Sequence, residues 1–316
     1  MNQADGELGV QRIQLAHGEG GLLTRQLEEE LFLPAFRNPA LAALNDASAI
    51  PWPAHQLSTS LGLSPAQPGS PKSPGTLETP LVISTDTFVV TPRQFPGGDI
   101  GKLAICGTLN DLAVAGAMPL ALTVALVIEE GLPLAELKEV VASLAATAKA
   151  ASVPIVGGDT KVVGRGEADG LFINTTGVGL RRAAFSGAFA PACDLAPAPV
   201  PIRAPAPAPD RIEPGDRVFL SGDIGRHGVV ILATRAGLEF ETPVESDVDW
   251  IGPQVDRLMD AVGPDALHAM RDPTRGGLAT VVKELALAAQ VAVVLDEAAI
   301  PVLPEVAVAA EWLGLD

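Results

Sequence analysis

Tyrosine is absent from this chain of 316 residues, and aromatic residues of every kind reach only 4%. A core here must therefore be built from Leu, Val and Ala. Cysteine occurs twice, at Cys106 and Cys193. Two thiols form neither a disulfide framework nor a zinc set, and they fit a reducing cytosol. Basic residues are outnumbered, 21 Lys and Arg against 38 Asp and Glu, for a net charge of −17. Such a surface repels nucleic acid and anionic membrane. It still permits local binding of phosphate through backbone N–H groups, a lysine or a metal ion. Long apolar runs are missing as well: the strongest, Leu120 to Ile128, is less than half of a membrane span. Met1 to Val10 has neither a basic nor an apolar leader segment, so no secretory signal is expected and the cytoplasm is the expected location. There is no P-loop and no GxGxxG element.

What is present is a chain with 47% apolar residues, enough for a sizeable core. Two stretches interrupt it. Ser64 to Pro80 is rich in Pro, Gly and Ser and reads as a surface insertion. Pro191 to Pro209 is an Ala-Pro tract, which favours extended polyproline II and behaves as a semi-rigid linker. The expected organisation is an N-terminal domain over 1–190, a linker over 191–212 and a second domain over 213–316. A long loop inside one domain is the alternative.

The first part reads as a helical region from Leu22 to Ala43 broken at Pro34, a strand from Leu81 to Val90 and a small-residue helix from Ile100 to Ala117. A buried strand from Ala121 to Ile128 follows, then an amphipathic helix from Leu134 to Ala150 and a strand from Gly170 to Gly179. Leu134, Leu137, Val141, Leu144 and Ala148 form that helix's apolar face. The second part predicts strands at Arg217 to Ser221 and Val291 to Asp296, and helices at His227 to Ala236 and Gly276 to Gln290. The mixture, without a regular βαβ repeat, favours an α+β fold.

Carboxylates recur beside glycines. In Gly97-Gly98-Asp99-Ile100-Gly101-Lys102, Asp99 fits a helix N-cap, either as a plain capped turn or as a close approach to a ligand. Asn110-Asp111 lies inside the following helix, with Gly107 one turn earlier on the same face. A mid-helix glycine costs about 1 kcal/mol against alanine, and an Asp among small apolar residues also costs unless satisfied. Both make sense if Asp111 faces a cation and Gly107 leaves room for a ligand; a solvated polar face is the alternative. Gly157-Gly158-Asp159-Thr160-Lys161 sets carboxylate, hydroxyl and ammonium in succession, as magnesium and phosphate require, unless it is a surface turn. Asp272-Pro273-Thr274-Arg275-Gly276-Gly277 opens a helix and reads as an anion site or an ordinary Pro-initiated cap. Glu284 stands on that same helix. His17-Gly18-Glu19-Gly20-Gly21 reads as a phosphate lid or a plain tail. Together these favour magnesium–nucleotide chemistry, with Asp86, Asp111 and Asp159 as the central carboxylates.

At these residues the chain resembles the HypE family, the carbamoyl dehydratases of [NiFe]-hydrogenase maturation, within the AIR-synthetase-like superfamily. The resemblance is carried by GGDIGKLAICGTLNDLAVAGAMPLAL, EEGLPL, GGDTKVV, FINTTGVG, FETPVESD and DPTRGGLAT, together with HGEGGLLTRQLEEELFLPAF. It implies a two-domain AIR-synthetase-like (PurM-like) fold and a homodimer whose N-terminal sheets meet. It implies ATP and Mg²⁺ as cofactors, with Asp46, Asp86, Asp111 and Asp159 holding the metal and phosphates. His17, Gly20, Gly21, Asp99, Lys102, Asn110, Thr160, Thr274, Arg275 and Gly276 are the candidate nucleotide contacts. Lys161 and Glu284 match the positions that assist dehydration. The implied reaction turns a cysteine-bound thiocarboxamide into a thiocyanate, with the carbamoyltransferase HypF and the HypC–HypD scaffold as partners.

The family runs on to a Pro-Arg-Ile-Cys tail that this sequence does not contain. The resemblance therefore implies an incomplete second domain, with apolar faces such as Val291 to Leu295 exposed. Cys106, in the apolar helix, reads as core, and Cys193 matches no family motif. A catalytically inactive nucleotide- or partner-binding homologue is one alternative. Another ATP-using enzyme of the superfamily is a second; a selenophosphate synthetase would need a reactive cysteine near the N-terminus.

Overall fold

The computed structural model describes residues 22–27, 29–30, 48–50, 81–182, 206–238, 244–274 and 276–314. The calls at His17, Gly20, Gly21, Asp46, Cys193 and Arg275 lie outside these residues, as do the insertion at 64–80 and most of the linker.

The N-terminal part is organised by alternation. Strands β1 (Ser48–Ile50), β2 (Leu81–Phe88), β5 (Ala117–Glu129), β6 (Ile155–Val163) and β7 (Leu171–Arg181) form one sheet in the order β1-β2-β7-β5-β6. All neighbours are antiparallel except β5 and β6. Along β7, Leu171, Ile173, Thr175, Gly177 and Gly179 are buried and the residues between them are not. That period of two is the mark of a sheet covered on one face. It also corrects the reading of β5 as a buried strand: only Ala117 and Leu122 in it are buried, because its other face is open.

After the short helix α1 (Leu22–Leu27), the covering layer is α2 (Ile100–Val114) and α3 (Leu134–Ala150). Helix α2 is buried on nearly every side: Ile100, Ala104, Ile105, Leu109, Leu112 and Ala113 have no exposed surface. Small residues let it approach the sheet, and its Thr108 hydroxyl meets that of Thr175 at 2.5 Å. Asp99 caps it, accepting from Gly101 N at 2.6 Å and Lys102 N at 2.9 Å. The hairpin of β3 (Gln94–Phe95) and β4 (Gly98–Asp99) delivers that cap. Helix α3 has the predicted bounds, but its buried stripe is Val140, Leu144 and Ala148. Leu134 and Val141 are exposed; Val141 lies about 100° around the helix from Val140 and so turns away from α2.

After Arg181 no further strand forms among the described residues. The elements there are α4 (Arg226–Ala236), α5 (Gly252–Val262), α6 (Gly277–Ala289) and α7 (Pro304–Leu313). The strands predicted at Arg217 to Ser221 and Val291 to Asp296 are non-helical segments without a ladder partner. A strand exists through the neighbour that satisfies its N–H and C=O groups, and neither segment has one. Phe219 and Val294 are left 84% and 92% exposed.

The two parts share one core. Val229, Val230, Ile231, Val244, Val306 and Ala309 from the second part join Val82, Ile105, Leu109 and Ile173 from the first. A second cluster joins Ala113 of α2 to Val255 and Met259 of α5, with Leu267 and Met270 packed against it.

Candidate functional site

Ser84 and Asp86 lie on the face of β2 that meets α2. Ser84 is 4% exposed, and its hydroxyl donates to Asp111 Oδ2 at 2.5 Å. Asp86 points the same way: a Cβ added at Gly107 of α2 would lie 3.8 Å from Asp86 Oδ2. Neighbouring positions on a strand and a turn of helix thus bring two carboxylates together under the sheet's covering layer.

A third carboxylate arrives from the second part. Asp272 lies beside Asp111 and feels the charge of Asp86. Its pKa is pushed up to about 6, first by desolvation of a carboxyl held inside the protein and then by the like charge of Asp86; its own backbone N–H, Arg271 and Asp111 pull it back. The sequence places Asp272 at the start of an anion site and gives its carboxylate no role of its own. The signal was an Asp directly before the Pro-Thr-Arg-Gly-Gly helix start, where the arginine and glycines drew attention to phosphate instead.

The other predicted residues divide. Lys102 Nζ donates to Gly97 O at 3.1 Å, and Asp99 is occupied as a cap. Asn110 Nδ2 donates to Asp249 O at 3.0 Å while its Oδ1 accepts from Ile251 N at 3.0 Å, so its amide joins the two parts. The space at Gly107 is filled by the Phe88 ring, which a Cβ would meet at 2.8 Å; it does not hold a ligand open. Thr274 is exposed and Gly276 is the left-handed N-cap of α6. Glu284, on α6, accepts from Arg271 Nη2 at 3.2 Å and so stands one residue away from the Asp272 carboxyl along that network.

Asp159, Thr160 and Lys161 lie in β6, an exposed edge strand and not a turn. Register decides what they face. One row across the sheet is Asp86, Thr175, Val124 and Gly158; the next is Thr87, Asn174, Ala125 and Asp159. The first row faces α2, as the Thr175 bond to Thr108 shows. Successive residues alternate faces, so Asp159 and Lys161 stand on the open face. β6 is also three strand spacings from β2, about 14 Å. One chain therefore does not bring Asp159 to the same ion as Asp86. The second glycine of the motif has a backbone reason: a Cβ at Gly158 would sit 2.1 Å from Val124 O.

Cys106 is 1% exposed, and burial pushes its thiol up to about 12, as a core residue requires.

The N-terminal domain model of the AIR synthase related proteins matches residues 74–181, and the C-terminal domain model matches residues 213–315. Carbamoyl dehydratase HypE of Cupriavidus necator is 44% identical over 305 residues, covering 96% of this chain and 74% of that protein. The chain belongs to the HypE carbamoyl dehydratase family. Two solved structures agree. HypE in a HypE–HypF complex superposes with a TM-score of 0.72 at 37% identity, covering 92% of this chain and 79% of that one. Hydrogenase maturation protein HypE in complex with ATP gives 0.66 at 39% identity, covering 96% and 77%. The α+β, PurM-like fold read from the sequence is the fold of this HypE family, and the chain is an enzyme of the carbamoyl dehydratase kind.

The site suits a hydrated divalent cation carrying phosphates. Among the described residues no group of three His, Cys, Asp or Glu side chains forms a ready cage for an ion. Magnesium does not ask for one: it takes one or two carboxylates and completes its shell with water and substrate phosphates. The raised pKa of Asp272, driven by burial and by the like charge of Asp86, marks negative charge that such an ion neutralises.

Proposed function

We propose that this chain uses ATP and Mg²⁺ to dehydrate a cysteine-bound thiocarboxamide to a thiocyanate, in the supply of cyanide to the iron centre of [NiFe]-hydrogenase. The observation that carries this is the placing of Asp86 and Asp111 on facing positions of β2 and α2, with Asp272 of the second part beside them. The relatives named for carbamoyl dehydratase activity, ATP and HypF support it.

The chemistry is balanced as follows. The amide oxygen of the thiocarboxamide takes the γ-phosphoryl group, releasing ADP. The nitrogen gives up its two protons as the carbon–oxygen bond breaks, so phosphate leaves and a carbon–nitrogen triple bond remains. Phosphorylation is needed because an amide oxygen is otherwise a poor leaving group. Magnesium, when bound, supplies positive charge against the phosphates. Asp86 and Asp111, the latter oriented by Ser84, would hold it. Glu284 would accept an amide proton, with Arg271 fixing its position. Lys161 would face the transferred group from a second copy, since its own face of the sheet is turned away from α2. The same argument applies to Asp159. A homodimer in which the β6 edge of one copy reaches the Asp86 side of the other would complete the site; HypF and the HypC–HypD scaffold are the proposed delivery and acceptor partners.

The test is Mg–ATP binding by calorimetry and phosphate release, with and without a peptide ending in a thiocarboxamide-bearing cysteine. ATP bound tightly, with phosphate released in step with peptide thiocyanate, is the expected result. Absence of ATP binding would remove the enzyme reading.

A further inference from the structure

Asn110 and Asp111, adjacent on α2, engage the two ends of one segment of the second part. Asn110 holds its start: its amide donates to Asp249 O and accepts from Ile251 N, each at 3.0 Å. Asp111 meets its end, where Asp272 lies beside it. Between these points the chain forms α5 and the turn after it. The second core cluster ties this stretch back to α2, with Val255, Met259, Leu267 and Met270 gathered about Ala113. The segment leaves α2 at one residue and returns at the next.

We propose that Asn110 is a positioning residue that sets how closely Asp272 approaches Asp111, and thereby the affinity of the carboxylate site for its divalent cation. This rests on the Mg–ATP reading above. Asp272 belongs to the second part, whereas Asp86 and Asp111 belong to the first, so the site exists only when the two parts keep one relative position. A carboxamide is suited to fixing that position because it presents a donor and an acceptor side by side, as a peptide group does. Both ends are used here. Asn110 therefore acts on the ion through Asp272, and not as a contact to the nucleotide.

The join does not depend on Asn110 alone. Ser246 N donates to Pro96 O at 2.9 Å, Trp250 packs against both core clusters, and Arg182 pairs with Asp256. Variants at Asn110 should thus fold with the two parts in contact but with a looser setting.

The experiment is a double-mutant cycle of Asn110→Ala and Asp272→Asn. It is read by Mn²⁺ binding in electron paramagnetic resonance with a non-hydrolysable ATP analogue present. Nucleotide affinity in EDTA is the second readout. Asn110→Ala should weaken Mn²⁺ binding about fivefold in the wild-type background and leave it unchanged in the Asp272→Asn background. Metal-free nucleotide affinity should stay constant. Asn110→Gln, which keeps both ends of the amide, should recover part of the loss and covers the case in which the alanine variant does not fold. Additive losses in the cycle, or a fall in metal-free nucleotide affinity, would overturn the role of Asn110 while leaving the Mg–ATP site standing. If the wild-type protein holds no Mn²⁺ with the analogue, both are overturned.

Discussion

Asp272 and Asp111, carried by different parts of the chain, lie side by side beneath the sheet. Burial and the charge of Asp86 push the Asp272 carboxyl toward its protonated form, and that has a measurable signature.

Asp272 is raised from 3.8 to about 6 in the folded protein. A raised carboxyl pKa favours folding at low pH, where the group is protonated, and that advantage is lost as pH climbs through the folded value. The metal-free protein should therefore lose stability between about pH 4 and pH 6, on the order of 3 kcal/mol. Asp272→Asn should flatten this window and raise the melting temperature of the metal-free protein above pH 6. It should also reduce the stabilisation that Mg–ATP gives to the wild type. Thermal melts across pH, with and without Mg–ATP, check both parts. A variant that melts lower than wild type at pH 7 would contradict the strained-proton account.

Ser84 offers a finer probe. Its hydroxyl donates to Asp111 Oδ2 from a nearly sealed position. Removing it in Ser84→Ala leaves the carboxylate in place but free to rotate. Partners that orient a metal ligand typically matter by about tenfold or more. Ser84→Ala should weaken Mg²⁺ activation of ATP hydrolysis by about that factor, with little change in KM for ATP at saturating metal. A Mg²⁺ titration of the rate reads it directly.

Gly158 and Gly157 are neighbours with opposite requirements. A Cβ at Gly158 would meet Val124 O at 2.1 Å, whereas at Gly157 the nearest atom is Thr123 Cγ2 at 3.8 Å. Gly158→Ala should force β6 from β5 and cost about 3 kcal/mol or more. Gly157→Ala should be nearly neutral. Urea unfolding of the pair checks the contrast. Equal effects would mean that the parallel β5–β6 register is not the one described.

The local features were legible from sequence because their causes are local. Asp99 caps α2 through its own turn, and α3 runs between the predicted ends. Cys106 lies in the helix whose small apolar residues announce burial. Failures came where a distant partner decides the role. Asn110 looked like a ligand because nothing in its own neighbourhood shows that Asp249 and Ile251 come to it. Asp272 was overlooked because its partners, Asp111 and Asp86, are more than 150 positions away in the chain. Arg217 to Ser221 and Val291 to Asp296 have strand composition, but composition does not supply the neighbouring strand. Asp159 was grouped with Asp86 on motif content alone. Only the register of four strands shows that they face opposite sides.

That opposition yields the sharpest test of the proposed dimer. If each site takes Asp86 and Asp111 from one copy and Asp159 from the other, Asp86→Asn and Asp159→Asn should each abolish turnover alone. Mixing the two variants and allowing exchange forms heterodimers. In these, one site has lost both groups and the other has kept both. With random pairing, half the dimers are mixed and half of their sites are intact, so about a quarter of wild-type activity should return. Sites built within single chains would give no recovery, because every chain in the mixture carries one lesion. Recovery that appears only after subunit exchange, and saturates near that fraction, would place Asp159 across the interface. Turnover by Asp159→Asn alone would remove it from the site.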